Sequence, residues 1–126
     1  MNFPKNLVYT AHDEWLLVAG DEVTLGISDF AQDALGEIVH VELPEVDAEF
    51  AAGAAICEVE SVKAVAEVYT PVACVVIAVN EALDGAEDAL NSDPYGAGWL
   101  VKLRVTDASG LAGLADAATY QARVGA

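Results

Sequence analysis

Up to about residue 80 the chain is cut by Gly, Asp and Pro into short Val-rich stretches of alternating character, and that period of two limits its fold more than any other feature. Successive side chains of a strand point to opposite faces, so the alternation suits half-buried sheet and would scatter apolar groups around a helix. Glu14–Val18 and Glu22–Ile27 flank the turn-forming tripeptide Ala19-Gly20-Asp21 and are expected to pair as a hairpin. Ser28 offers an N-cap, Asp29 an acid for the first turn, Phe30, Ala31, Ala34 and Leu35 a helical spacing, and Gly36 a stop. A short helix over Asp29–Leu35 follows. Strands are expected again over Glu37–Leu43, Ala54–Glu60 and Val72–Val79, with Pro44–Asp47 turning the chain. The polar, Gly-rich stretch Glu81–Gly98 reads as a long ordered loop leading into a strand over Trp99–Val105. Leu111, Leu114, Ala118 and Tyr120 predict an amphipathic C-terminal helix over about Ser109–Gln121, which Gly110 and Gly113 weaken.

The 126 residues fit one domain, 1–126, with no linker or low-complexity segment and enough chain to bury a core without disulfides or structural metal. The longest apolar stretch, Val72–Val79, falls far short of the ~20 residues a membrane helix needs. The N-terminus has neither a secretory nor a transit pattern, so a soluble, cytoplasmic protein is expected. Five Lys and Arg stand against 21 Asp and Glu, a net charge of −16. Such a surface repels phosphate backbones and anionic lipid heads, which excludes nucleic acid and membrane as partners, and it favours a monomer. Cys57 and Cys74 lie in apolar surroundings, outside any CxxC or zinc-ligand spacing, and read as buried free thiols with no metal site.

No self-standing active site is legible. His12 and His40 lack a motif partner, and GxSxG, GxGxxG and GxxxxGK[ST] are absent. The chemistry must therefore be sought at Lys63, the sole cation among Glu58, Glu60 and Glu67. Before it, Cys57 and Val59 face one way and Glu58 and Glu60 the other; after it, Val65 and Tyr69 share one face and Ala66, Val68 and Thr70 the other. Ser61–Ala64 then links two strands, with Lys63 at the tip. A turn lysine is ordinarily a solubilising residue. An amine on a narrow, rigid tip is also what a modifying enzyme needs, and the hairpin alone leaves both readings open.

EVESVKAVAEVYTPV resembles the lipoyl-attachment motif. YTAHDEWL, VTLGISDFAQDALGEIVHVELPEV, AGAAICEVESVKAVAEVYTPV, VNEAL and NSDPYGAGWLVKL follow, in order and spacing, the pattern of the H proteins of the glycine cleavage system. The similarity runs from about Tyr9 to Leu103, with a weaker tail ending in DAATY. Biotin carriers typically flank their lysine with methionines, whereas Val62 and Ala64 flank Lys63.

The resemblance implies a mainly β fold, a lipoyl-domain-like flattened barrel or sandwich of two antiparallel sheets with a short helix near 29–35 and a C-terminal helix. It implies lipoate in amide linkage to Lys63, with Glu60 within reach of the lipoate-attaching enzyme. Glu14, in the DEW segment, becomes a contact for a cationic aminomethyl arm folded into a surface cleft, or else an exposed strand-end carboxylate. The implied function is that of a non-catalytic carrier. It takes the aminomethyl group of glycine from the pyridoxal-phosphate-dependent glycine decarboxylase (P protein) to the tetrahydrofolate-dependent aminomethyltransferase (T protein), and electrons to dihydrolipoyl dehydrogenase (L protein). The alternatives are a lipoyl donor to 2-oxoacid dehydrogenase complexes and an acidic structural domain with an unmodified lysine. One departure stands out: PVACVV carries Cys74 where the family usually has glycine, which points to a less strained backbone there or to a compensating neighbour.

Overall fold

A computed structural model describes residues 1–125. Among these residues nine strands form two antiparallel sheets. The larger has six strands: β1 (Val8–Tyr9), β2 (Glu14–Ala19), β3 (Glu22–Ile27), β9 (Val101–Asp107), β8 (Ala73–Val79) and β5 (Glu49–Phe50), in that spatial order. The smaller has three, in the order β4 (Ile38–Glu42), β6 (Ala55–Ser61) and β7 (Val65–Tyr69). The sandwich read from the sequence is therefore present, and its two shortest strands, β1 and β5, are additions.

Alternation explains the core. Val23, Leu25 and Ile27 of β3, Val59 of β6, Val68 of β7, Cys74 and Val76 of β8, and Val101 and Leu103 of β9 are all buried in one cluster between the sheets. The β2–β3 hairpin closes on Ala19↔Glu22, and Gly20 takes the positive φ (66°) that its turn requires. Helix α1 (Asp29–Leu35) occupies its expected range, with the Ser28 hydroxyl accepting from the Ala31 N–H at its start. It lays Ala31 and Leu35 against the main cluster.

Strand β2 is covered on both faces at its start. Leu16 enters the main cluster, while Trp15 enters a second one with Leu7, Tyr9, Ala115, Ala117 and Tyr120. Gly26 pairs with Trp15 across the β2–β3 hairpin, and a Cβ there would come within 2.7 Å of three atoms of the indole ring. The indole N–H donates to the Pro94 carbonyl at 3.0 Å.

Two expectations need correction. Residues 81–98 are not a plain loop: a 3-10 turn at Glu81–Leu83 and helix α2 (Ala89–Ser92) press the buried Leu83 and Leu90 into the core, and β9 begins at Val101 rather than Trp99. The C-terminal helix α3 spans Ala117–Val124, preceded by a separate 3-10 turn at Ala108–Leu111. Leu111 and Leu114 pack on the main cluster whereas Tyr120 belongs to the second, so one continuous helix face cannot serve both. Gly110 also lies so close to the chain before β8 that a Cβ would sit 1.9 Å from the Pro71 carbonyl oxygen. Asp116 starts the real helix by accepting from the Thr119 N–H at 2.8 Å.

Candidate functional site

The β6–β7 hairpin pairs Glu60 with Val65 and Val59 with Ala66, leaving Ser61–Ala64 as the turn. Ser61 is buried, and its hydroxyl organises that turn: Oγ accepts from the N–H groups of Lys63 (3.3 Å) and Ala64 (3.0 Å) and reaches the Ala64 carbonyl at 3.2 Å. The Ser61 N–H donates to the same carbonyl at 2.8 Å. A short polar side chain thus replaces solvent as partner to the turn backbone, which orders the residues beside it.

Lys63 is exposed at the tip, between Val62 and Val65, which are 67% and 58% exposed. The tip is also moored to the body, because the Val62 N–H donates to the Glu37 carbonyl at 3.0 Å. At Gly36, where α1 ends and φ is 80°, a Cβ would stand 3.5 Å from Lys63 Cε, so the lysine stem passes beside the helix end. Glu60, three residues before Lys63, is half-buried on β6 with His40 of β4 on one side and Val65 on the other.

Glu14 is not the exposed strand-end carboxylate weighed from sequence; it is 1% exposed. One carboxylate oxygen accepts from the Thr10 hydroxyl and the other from the Tyr69 N–H at 3.1 Å. Burial pushes its carboxyl above the ordinary range, against the pull of the Thr10 and Tyr69 hydrogen bonds and of His12, while Asp13 pushes it further up. Its surroundings are non-local: residues of α1 and β7, both distant in sequence, lie around it with residues of β3 and β6. They enclose a cleft of about 180 Å³ with Glu14 and His12 in its lining, Ile27, Ala31 and Leu35 on one wall and Val59, Ala66 and Val68 on the other. A small apolar cleft with a hydrogen-bonded carboxylate suits a slender, mostly apolar group with a cationic end.

Sequence reasoning singled out Lys63, Glu60 and Glu14. The structure puts the first two on one hairpin and ties Glu14 to the far end of the same hairpin through Tyr69. Ser61 was missed as the organiser of the turn, although a serine two residues before a tip lysine is a legible turn signal.

Both thiols are buried as expected. Burial pushes Cys57 up to about 12, and it also raises Cys74. At Cys74 the β8–β9 register shifts, between Ala73 and Cys74, and Thr70 Oγ1 lies 3.7 Å from the Cys74 sulfur.

The fold is thus a two-sheet sandwich with an exposed lysine on an ordered, moored hairpin tip. The family model described as glycine cleavage H-protein matches residues 7–125. A glycine cleavage system H protein of Mycolicibacterium smegmatis is 51% identical over 125 residues, covering 96% of this chain and 95% of that protein. One from Thermus thermophilus is 47% identical over 121 residues, covering 96% and 94%. The crystal structure of a glycine cleavage system H protein from Mycobacterium marinum superposes with a TM-score of 0.90 at 36% identity, covering 98% of this chain and 99% of that one. The chain belongs to the glycine cleavage H-protein family. Among the described residues no helix is long and apolar enough to cross a membrane.

Proposed function

We propose that this chain is the lipoylated carrier of a glycine cleavage system, with Lys63 as the attachment site. The observation that carries the reading is the tip itself: an exposed amine on a turn closed by Ser61 and moored to Glu37. An acylating enzyme gains when its target is already ordered, because less conformational entropy is lost on docking. Bound lipoate would supply a redox-active disulfide able to carry the aminomethyl group of glycine between glycine decarboxylase and aminomethyltransferase and to deliver electrons to dihydrolipoyl dehydrogenase.

The chain's own residues have separate tasks in this scheme. Lys63 provides the nitrogen for the amide bond. Glu60, on the strand leading to the tip, meets the lipoate-attaching enzyme. The cleft walls Ile27, Leu35 and Val68 exclude water, and Glu14 holds a cationic amine by a charge-assisted hydrogen bond. The protein works as a monomer in the cytoplasm, as one unit over 1–126, and is a substrate of its partner enzymes rather than a catalyst.

The test is acylation of the purified chain by a lipoate–protein ligase with lipoate and ATP, followed by reconstitution with the three partner enzymes. Intact mass should rise by a single lipoyl group, and glycine-dependent carbon dioxide release should depend on it. Lys63→Arg keeps the charge but offers no amine for acylation, and should lose both signals with unchanged thermal unfolding. Acylation of the Arg variant would assign the site elsewhere.

A further inference from the structure

We propose that Asn91, on α2, is a positioning residue for the acylation of Lys63, an inference that rests on Lys63 being the lipoyl site. The Asn91 side chain spends all of its amide hydrogen-bonding groups on the junction between α1 and β4. Its Oδ1 accepts from the Ile38 N–H at 3.0 Å, and its Nδ2 donates to the Gly36 carbonyl at 2.8 Å and to Gln32 Oε1 at 3.0 Å. It therefore grips the chain on both sides of Glu37.

The Ile38 N–H and the Glu37 C=O belong to one peptide unit. That unit is planar and trans, so a partner that fixes the direction of the N–H also fixes the direction of the carbonyl. The Glu37 carbonyl is the acceptor for the Val62 N–H, at 3.0 Å. Two hydrogen bonds through one rigid plane thus connect Asn91 to the residue immediately before Lys63. The Gly36 carbonyl, held by Nδ2, belongs to the residue that the Lys63 stem passes.

Packing cannot do this work at the tip, because Val62 and Val65 project largely into solvent. Asn91 itself is well founded, since its neighbour Leu90 is fully buried in the main cluster. The core's rigidity is in this way passed through α2 to the exposed tip, alongside the β4–β6 pairing of Ile38 with the buried Ser61. Loosening Asn91 should leave the amine chemically unchanged while broadening the set of tip positions an enzyme must select from, so the loss should appear in KM more than in kcat.

The experiment compares wild type, Asn91→Ala and Asn91→Asp with Asn80→Ala, using the full-length unmodified chain, lipoate, ATP and a lipoate–protein ligase. Asn80 is the matched control: its Nδ2 donates to the Ala97 and Trp99 carbonyls at 2.8 Å each, bracing the same 81–98 segment without touching residues 36–38. Asn91→Asp keeps the acceptor for Ile38 but sets a carboxylate oxygen against the Gly36 carbonyl, and it serves if the Ala variant does not fold. Both Asn91 variants should lose about tenfold in kcat/KM, mostly through KM, while Asn80→Ala stays near wild type. Amide hydrogen exchange at Val62 should be slow in wild type and faster in the Asn91 variants alone.

Wild-type kcat/KM in the Asn91 variants, or equal losses in the Asn80 and Asn91 variants, would overturn the proposal. So would a Val62 amide that exchanges freely in the wild-type chain. A wild-type chain that accepts no lipoate would instead overturn the reading of Lys63 itself, so the two failures are distinguishable.

Discussion

Replacing Gly26 by alanine tests the packing that holds β2 in place. The added methyl would lie 2.7 Å from Cε2, Cζ2 and Nε1 of Trp15, about 1 Å inside normal carbon contact. The indole has little room to yield. It is 2% exposed, its ring centroid lies 5.9 Å from that of Tyr95, and its N–H is engaged by the Pro94 carbonyl. Overpacking of this kind costs about 1–3 kcal/mol, and loss of the indole hydrogen bond adds about 1 kcal/mol. The expected destabilisation is about 2–4 kcal/mol, a fall in Tm of roughly 8–15 °C for a chain of this length. Urea unfolding of a double-mutant cycle with Trp15→Phe is the assay. Phenylalanine lacks the outer benzo ring, with Cζ2, and the fixed indole N–H, so Gly26→Ala should cost less in that background than in wild type. Equal costs in both backgrounds would refute the steric account of Gly26.

Three further outcomes follow from the site. Burial raises the Glu14 carboxyl in the folded protein, so its contribution to stability is full below the unfolded value of 4.5 and is lost as pH rises through the folded value. Glu14→Gln should therefore gain stability relative to wild type between about pH 4 and pH 8, and a difference that stays flat across parallel urea titrations would contradict this. Glu60→Gln should slow lipoylation several-fold with little change in Tm, and unchanged ligase kinetics would return Glu60 to the solvated face of its strand. Cys57 and Cys74, buried and raised, should resist a disulfide reagent in native buffer at about pH 8 and react on unfolding; rapid modification of the native protein would show the thiols to be accessible.

What could be read before folding was local and periodic. The Glu14–Ile27 hairpin, the helix at Asp29–Leu35 and the Lys63 turn each announce themselves within a few residues, through alternation, a Ser28 cap and a break in pattern. The errors came from contacts that sequence spacing does not encode. Leu111 and Tyr120, nine residues apart, would point to opposite sides of one continuous helix; they pack into different clusters, and the chain forms a 3-10 turn and a separate α3 instead. Glu14 follows His12-Asp13 in sequence, and the groups around its carboxyl come from elements that begin 15 and 51 residues later, at Asp29 and Val65. Asn91 lies 53 residues from Ile38, and nothing in NSDPYGAGW distinguishes it from an ordinary loop asparagine.

The hydrogen bond from the Tyr69 N–H to Glu14 also joins β7 of the small sheet to β2 of the large one. The sandwich is thus riveted on this side by a group that can gain or lose a proton. An uncharged carboxyl accepts more weakly than a carboxylate, so the grip between the sheets and the ionisation of one side chain are the same variable. Shortening the side chain by one methylene, as in Glu14→Asp, would preserve the charge and lose the span. A cation placed beside this carboxylate would do the reverse: by favouring the ionised form it would strengthen the hydrogen bond that joins the two sheets here.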